Sequence, residues 1–183
     1  MNEAVIFDGI RTPIGRHAGA LSKIRPDELL ATTIRELVSR SEFDLSLIED
    51  VIAGDTNQAG EDCRNVARNA GLLAGLPLTV GGITINRLCG SGAAAVLDAS
   101  RAIKTDEGQM FIASGVESMS RAPWIMSKAE SAYGRDQKIQ DSTIGWRFPN
   151  PRFYKEFGRE TMPETADNIA RDLGISREDS DKF

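Results

Sequence analysis

Cys89 stands in the stretch of this sequence with the most chemistry in it, Asn86-Arg87-Leu88-Cys89-Gly90-Ser91-Gly92-Ala93-Ala94-Ala95. There a short strand-like run (83–86) gives way to an alanine-rich helical one (91–104). A cysteine at a helix start lies beside main-chain N–H groups that lack intrahelical partners, at the positive end of the dipole. Both conditions favour thiolate over thiol. Gly90 and Gly92 leave room for a tight bend or the close approach of a ligand. Such a sulfur is a good acyl acceptor, and the same amides could stabilise an oxyanion.

Local chemistry leaves two other readings open. Cys89 could be a small buried residue filling space between helix and sheet. Alternatively, Gly90-Ser91-Gly92-Ala93-Ala94-Ala95 fits G-x-G-x-x-A after a strand, with Glu117 near the end of the next strand, the outline of a dinucleotide-binding turn. Against that, the turn follows the third expected strand rather than the first, and a dinucleotide turn has no need of a cysteine there.

The elements that must position Cys89 alternate. Strands are expected at 4–7, 51–54, 83–86 and 110–113, bounded by turn signals such as Asp8-Gly9. Pro26-Asp27-Glu28 opens a helix, with Leu30, Ile34, Leu37 and Val38 along one stripe. A second helix is expected at 65–73 and a third at 91–104. This order implies parallel strands with helices over both faces, an α/β layered domain at 1–118. Residues 119–159 carry scattered Pro, Trp and charge without a sustained period, the mark of a functional lobe rather than a simple connection. Thr161-Met162-Pro163-Glu164 caps a further helix. Ser176-Arg177-Glu178-Asp179 reads as one more N-cap just ahead of Phe183, so the chain is expected to be a fragment, with a truncated lobe at 119–183.

Composition narrows the partners. A net charge of −5 argues against a nucleic-acid surface. No run of about 18 apolar residues suggests a membrane span, and no secretory signal is visible. Two cysteines make no disulfide scaffold, and with one histidine they match no zinc pattern, so no metal is expected and a cytoplasmic location is the default.

Six blocks, in order, resemble thiolases: Arg11-Thr12-Pro13-Ile14-Gly15-Arg16, Gly19-Ala20-Leu21, Asn65-Val66-Ala67-Arg68, the Asn86–Gly92 segment, Gly115-Val116-Glu117-Ser118-Met119-Ser120, and Glu164-Thr165-Ala166-Asp167-Asn168-Ile169-Ala170. Together they favour a functional Cys89. Asn57-Gln58-Ala59-Gly60-Glu61-Asp62 and Thr143-Ile144-Gly145-Trp146-Arg147-Phe148 resemble the branch acting on β-ketoadipyl-CoA in aromatic-compound degradation; a short-chain acetyl-CoA acetyltransferase is the alternative.

The resemblance implies an acyltransferase that cleaves 3-oxoacyl-CoA with CoA, through an acyl-cysteine at Cys89 whose backbone N–H serves as one oxyanion donor. Coenzyme A is a substrate, and no cofactor is tightly bound. Met162 matches a position near the acyl pocket, and Thr161 falls where some short-chain relatives have histidine. The lobe's cations (Arg121, Lys128, Arg135, Lys138, Arg147, Arg152, Lys155, Arg159) are candidates for CoA phosphates. The family's activating histidine and second cysteine belong to later motifs. Cys63 matches neither, and His17 reads as a surface or packing residue, so the chain alone is expected to be inactive. The implied fold is the first βαβαβαββ half of the thiolase fold, a mixed sheet minus a last strand that arrives after the loop domain, plus part of that domain. A homodimer or homotetramer is implied, and a separate carboxyl-terminal half is a possible partner, since an apolar face would otherwise stay open.

Overall fold

The computed structural model describes residues 2–183, which form two compact units, one ending at Pro123 and the other beginning at Trp124. The first unit is built on three parallel strands, β1 (Ile48–Gly54), β2 (Gly81–Ile85) and β3 (Met110–Gly115), in the order β2-β1-β3. The central strand is the most buried of the three, as a strand covered on both faces must be. Alternation along it divides the core. Val51 and Ala53 join Ile112 in packing against Leu30, Ala31 and Ile34 of α1 (Pro26–Ser39) and Val66, Ala67 and Ala70 of α2 (Val66–Leu73). Ile52, between them, packs against Ala95 and Ala99 of α3 (Ser91–Lys104) on the opposite face.

The helix limits follow local signals. Pro26 occupies the first turn of α1, with Asp27 and Glu28 beside it. Asn65 caps α2 by accepting from the Arg68 amide, so the helix starts one residue later than the sequence suggested. Strand register brings Gly54 opposite both Ile85 and Gly115, so all three strands end at one level. The residues that follow them, Asp55-Thr56, Asn86-Arg87 and Val116-Glu117, therefore crowd one edge of the sheet. In open α/β sheets that edge is where ligands bind.

One expected strand is not formed. Residues 4–7 are extended but pair with no strand, and Val5, Ile6 and Phe7 remain 73%, 81% and 74% exposed. Around them, Asn2 Nδ2 donates to Ile103 O, Phe7 meets Phe43 edge-on at 4.6 Å, and Asp8 pairs with Arg40 at 2.6 Å. An apolar run becomes a strand only when a ladder partner is beside it. The segment that follows, Asp8–His17, lines a groove of about 580 Å³ together with Ile112–Gly115 of β3 and Val116 beyond it, and β3 pairs with β1 alone among the described residues.

The second unit contains the antiparallel pair β4 (Trp124–Met126) and β5 (Ile139–Asp141), then α4 (Pro151–Phe157), α5 (Met162–Leu173) and α6 (Arg177–Lys182). Glu164 accepts from the Thr161 amide at 2.7 Å, fixing the start of α5, and Gly174 ends it in the left-handed conformation. Ser176 caps α6 through the Asp179 amide. The rings of Trp146 and Phe153 meet at a tilt with centroids 5.1 Å apart, as do those of Phe153 and Phe157. Among the described residues no helix is long and apolar enough to cross a membrane.

Candidate active site

The turn between β2 and α3 presents Cys89 at the sheet's carboxyl edge. Its thiol is free and exposed, and Gly90 is the residue capping α3. The space-filling reading of this cysteine is therefore wrong. The amides of Gly92 and Ala93, in the first turn of α3, have no main-chain partner among the described residues.

Interlocking hydrogen bonds hold the turn. Leu88 adopts φ = +50°, a left-handed conformation that a leucine takes only when its surroundings impose it. The Leu88 amide donates to Asn86 Oδ1 at 2.9 Å, and the Ser91 hydroxyl donates to Leu88 O at 2.6 Å. The same Ser91 hydroxyl accepts from the Arg87 amide at 2.8 Å, so one buried side chain ties both limbs together. Gly54 lets α3 come this close to the sheet. A Cβ added there would lie 2.4 Å from the Ser91 carbonyl carbon and 2.6 Å from the Gly92 nitrogen.

Behind the turn lies a group of acids that the sequence reading did not single out. Asp55, at the end of β1, is 1% exposed and accepts the Asn57 amide at one oxygen, while Oδ2 has no partner among the described residues. Burial, then the neighbouring charges of Asp62 and Glu117, push its carboxyl up to about 7. Asp62 is likewise pushed up to about 6, chiefly by burial. Strand-terminal Asp55 and Asn86 were the available signals, because polar residues just beyond β-ends face the same edge.

The other expected residues fall in different places. Cys63 is exposed with φ = +49° in the loop before α2, beside Arg25 and Arg121. His17 is exposed. Met162, in the first turn of α5, is 76% exposed. Of the proposed phosphate-binding cations, Arg121 belongs to the first unit and is committed to an ion pair with Glu61, while Arg152 lies 3.8 Å from Glu156. Among the described residues no group of three His, Cys, Asp or Glu side chains could hold a metal.

The dinucleotide reading fares poorly on topology. The strands joined by α3 are not neighbours, since β1 lies between them, whereas a dinucleotide-binding βαβ unit pairs its two strands directly. Glu117 is also engaged: its Oε2 accepts from the Thr56 amide at 2.9 Å and the Thr56 hydroxyl at 2.6 Å.

A parallel α/β layer with an exposed cysteine at a strand-to-helix turn on its carboxyl edge places that cysteine where α/β sheets bind ligands. The family follows from comparison: residues 4–183 match the thiolase amino-terminal domain, and the chain belongs to the thiolase family. It is 60% identical to the 3-oxoadipyl-CoA/3-oxo-5,6-dehydrosuberyl-CoA thiolase of Escherichia coli (strain K12), over 100% of this chain and 46% of that protein. It is 56% identical to the beta-ketoadipyl-CoA thiolase of Pseudomonas knackmussii, over 99% and 45%. The chain thus spans about half the length of these curated relatives. The acetyl-CoA acetyltransferase of Bacillus anthracis superposes on 94% of the chain and 42% of its own, with a TM-score of 0.81 and 32% identity. Human mitochondrial 3-ketoacyl-CoA thiolase, solved in complex with CoA, does so with a TM-score of 0.80 and 30% identity.

Proposed function

We propose that this chain supplies the acyl-accepting half of a thiolase site, with Cys89 as nucleophile. The observation that carries the reading is the exposed Cys89 sulfur at the α3 turn, held by Asn86 and Ser91. In the degradative direction the thiolate attacks the 3-carbonyl carbon of a 3-oxoacyl-CoA. The resulting tetrahedral oxyanion collapses, the C2–C3 bond breaks, and its electron pair leaves on C2 of acetyl-CoA, where a proton is added. The sulfur of a second CoA then attacks the acyl-cysteine and releases acyl-CoA and the free thiolate. The oxyanion falls near the Cys89 amide, one donor of the proposed hole.

The histidine and second cysteine that complete this chemistry in the family have no counterpart here. His17 and Cys63 lie outside the Cys89 turn, and among the described residues neither is hydrogen-bonded to it. The chain by itself is therefore a nucleophile without its proton-moving groups and turns over poorly, the balance coming from a carboxyl-terminal half. The 3-oxoadipyl-CoA and beta-ketoadipyl-CoA names carried by its relatives at 60% and 56% identity support a 3-oxo dicarboxylic acyl-CoA as substrate. Met162 and the lobe's uncommitted cations, Lys128 and Arg135 among them, are the proposed contacts to substrate and CoA phosphates.

The test is transfer from acetyl-CoA to the protein, read by peptide mass spectrometry. The acetyl group should appear on Cys89 in preference to Cys63 and vanish in C89A. Equal labelling of both cysteines, or none at Cys89, would overturn the assignment. Steady-state thiolysis by this chain at the rate of an intact thiolase would overturn the claim of incompleteness.

A further inference from the structure

Three strand ends meet beside Cys89, and one chain of hydrogen bonds crosses all of them. Glu117, beyond β3, accepts from both the amide and the hydroxyl of Thr56, beyond β1, at 2.9 and 2.6 Å. The Thr56 carbonyl accepts from Asn86 Nδ2, beyond β2, at 3.1 Å. Asn86 Oδ1 accepts from the Leu88 amide at 2.9 Å, the residue before the nucleophile and the one held at φ = +50°. Both Thr56 bonds converge on a single Glu117 oxygen, Oε2. A carboxylate in this place is not neutral for its neighbours, since it raises the cost of charge on buried Asp55 and Asp62. A solvated surface acid would have no reason to be fixed there.

We propose that Glu117 is a positioning residue for the thiolase reaction, setting the geometry of the Cys89 turn through Thr56 and Asn86. Cleaving the chain at Glu117 frees the Thr56 loop, then the Asn86 amide, and lets Leu88 relax from its left-handed conformation. The sulfur then loses its fixed relation to the amides at the head of α3. The inference takes its purpose from the reading of Cys89 as acyl acceptor, but its measurement does not depend on acyl transfer.

The test is the rate of iodoacetamide alkylation, which depends on a sulfur's thiolate fraction and access. Cys63 serves as an internal reference, and rates are followed across pH 6–9. E117A should slow Cys89 by about threefold, leaving Cys63 unchanged. E117Q keeps an acceptor oxygen where Oε2 stands and should restore the rate. N86A should slow Cys89 at least as much, and adding E117A to N86A should change little further, because both act through one link. The proposal is overturned if folded E117A alkylates Cys89 normally, if both cysteines change alike, or if E117A and N86A act additively. If E117A fails to fold, T56V paired with N86A runs the same cycle under the same criteria. Loss of acetyl transfer with these dependencies intact would count against the proposed function and leave the positioning role standing.

Discussion

Among the described residues the buried apolar side chains, from Leu30 to Ile112, all precede Pro123, whereas Trp124, Tyr133, Ile139, Phe157 and Leu173 after it stand 76%, 98%, 67%, 71% and 72% exposed. The first unit closes its core between α1, α2, the sheet and α3. The second has helix caps, a short hairpin and an aromatic cluster, but Ser142 is its only buried residue among those described. Chemistry that needs an atom held to within a few tenths of an ångström belongs on the first kind of surface. A region that stays local and open suits a covering role, provided something packs on it. The two units should therefore respond very differently to equivalent changes.

The largest difference is expected at glycines. Gly54→Ala forces a methyl group into the main chain of Ser91 and Gly92, which neither side can yield, so it should cost about 3 kcal/mol or more and displace the Cys89 turn. Gly145→Ala, at φ = +83° with open space around it, should cost only about 1 kcal/mol. Urea titrations compare the two, and an equal loss would contradict the packing described here. Ile34→Ala repeats the contrast with side chains, at about 2–5 kcal/mol, against less than about 0.5 kcal/mol for exposed Leu173→Ala.

The acids behind the turn give the next effect. The Asp55 and Asp62 carboxyls are raised in the native state, to about 7 and about 6, above their ordinary 3.8. From about pH 4 to 7 the native protein holds protons that the unfolded chain has released. Their contribution to stability is thus full below pH 4 and is lost as pH rises through 6 and 7. Glu61, lowered by its bond to Arg121, acts in the opposite sense and loses its contribution as the solution turns acid. The clean measurement is the difference between wild type and Asp55→Asn. The variant should be more stable at pH 8, by on the order of 1 kcal/mol, and its stability should fall less between pH 5 and 8. An unchanged pH slope would mean that Asp55 is not the group titrating.

What could be read in advance divides along the same line. The stripe of α1, the Thr161 cap, the alanines of α3 and the cysteine at its head are local patterns, with periods and caps confined to a few residues. Residues 4–7 looked like a strand by the same kind of evidence and are not one, because pairing depends on what lies alongside. The link from Glu117 to Thr56 spans 61 positions, and that from Arg121 to Glu61 spans 60, so no window of sequence contains either. The burial of Asp55 was hidden for the same reason. It follows from the register that brings Gly54 level with Ile85 and Gly115, not from the residues around it.

Two helix caps carry the same comparison to the scale of single hydrogen bonds. Asn65 does more than start α2: its Nδ2 donates to Gly82 O at 2.8 Å and its Oδ1 accepts from Thr84 Oγ1 at 3.0 Å, binding the helix to β2. Asn65→Ala should therefore lower stability by about 1–2 kcal/mol, with the loss spread over the whole first unit. Thr161 bonds to Glu164, three residues along, through its amide and its hydroxyl, and its carbonyl accepts from Thr165, so its links stay within α5. Alanine there deletes one of those two bonds, so α5 amides should exchange about two- to fivefold faster while those of β1 keep their rates. Faster exchange in β1 as well would show that the effect of the cap is not confined to α5.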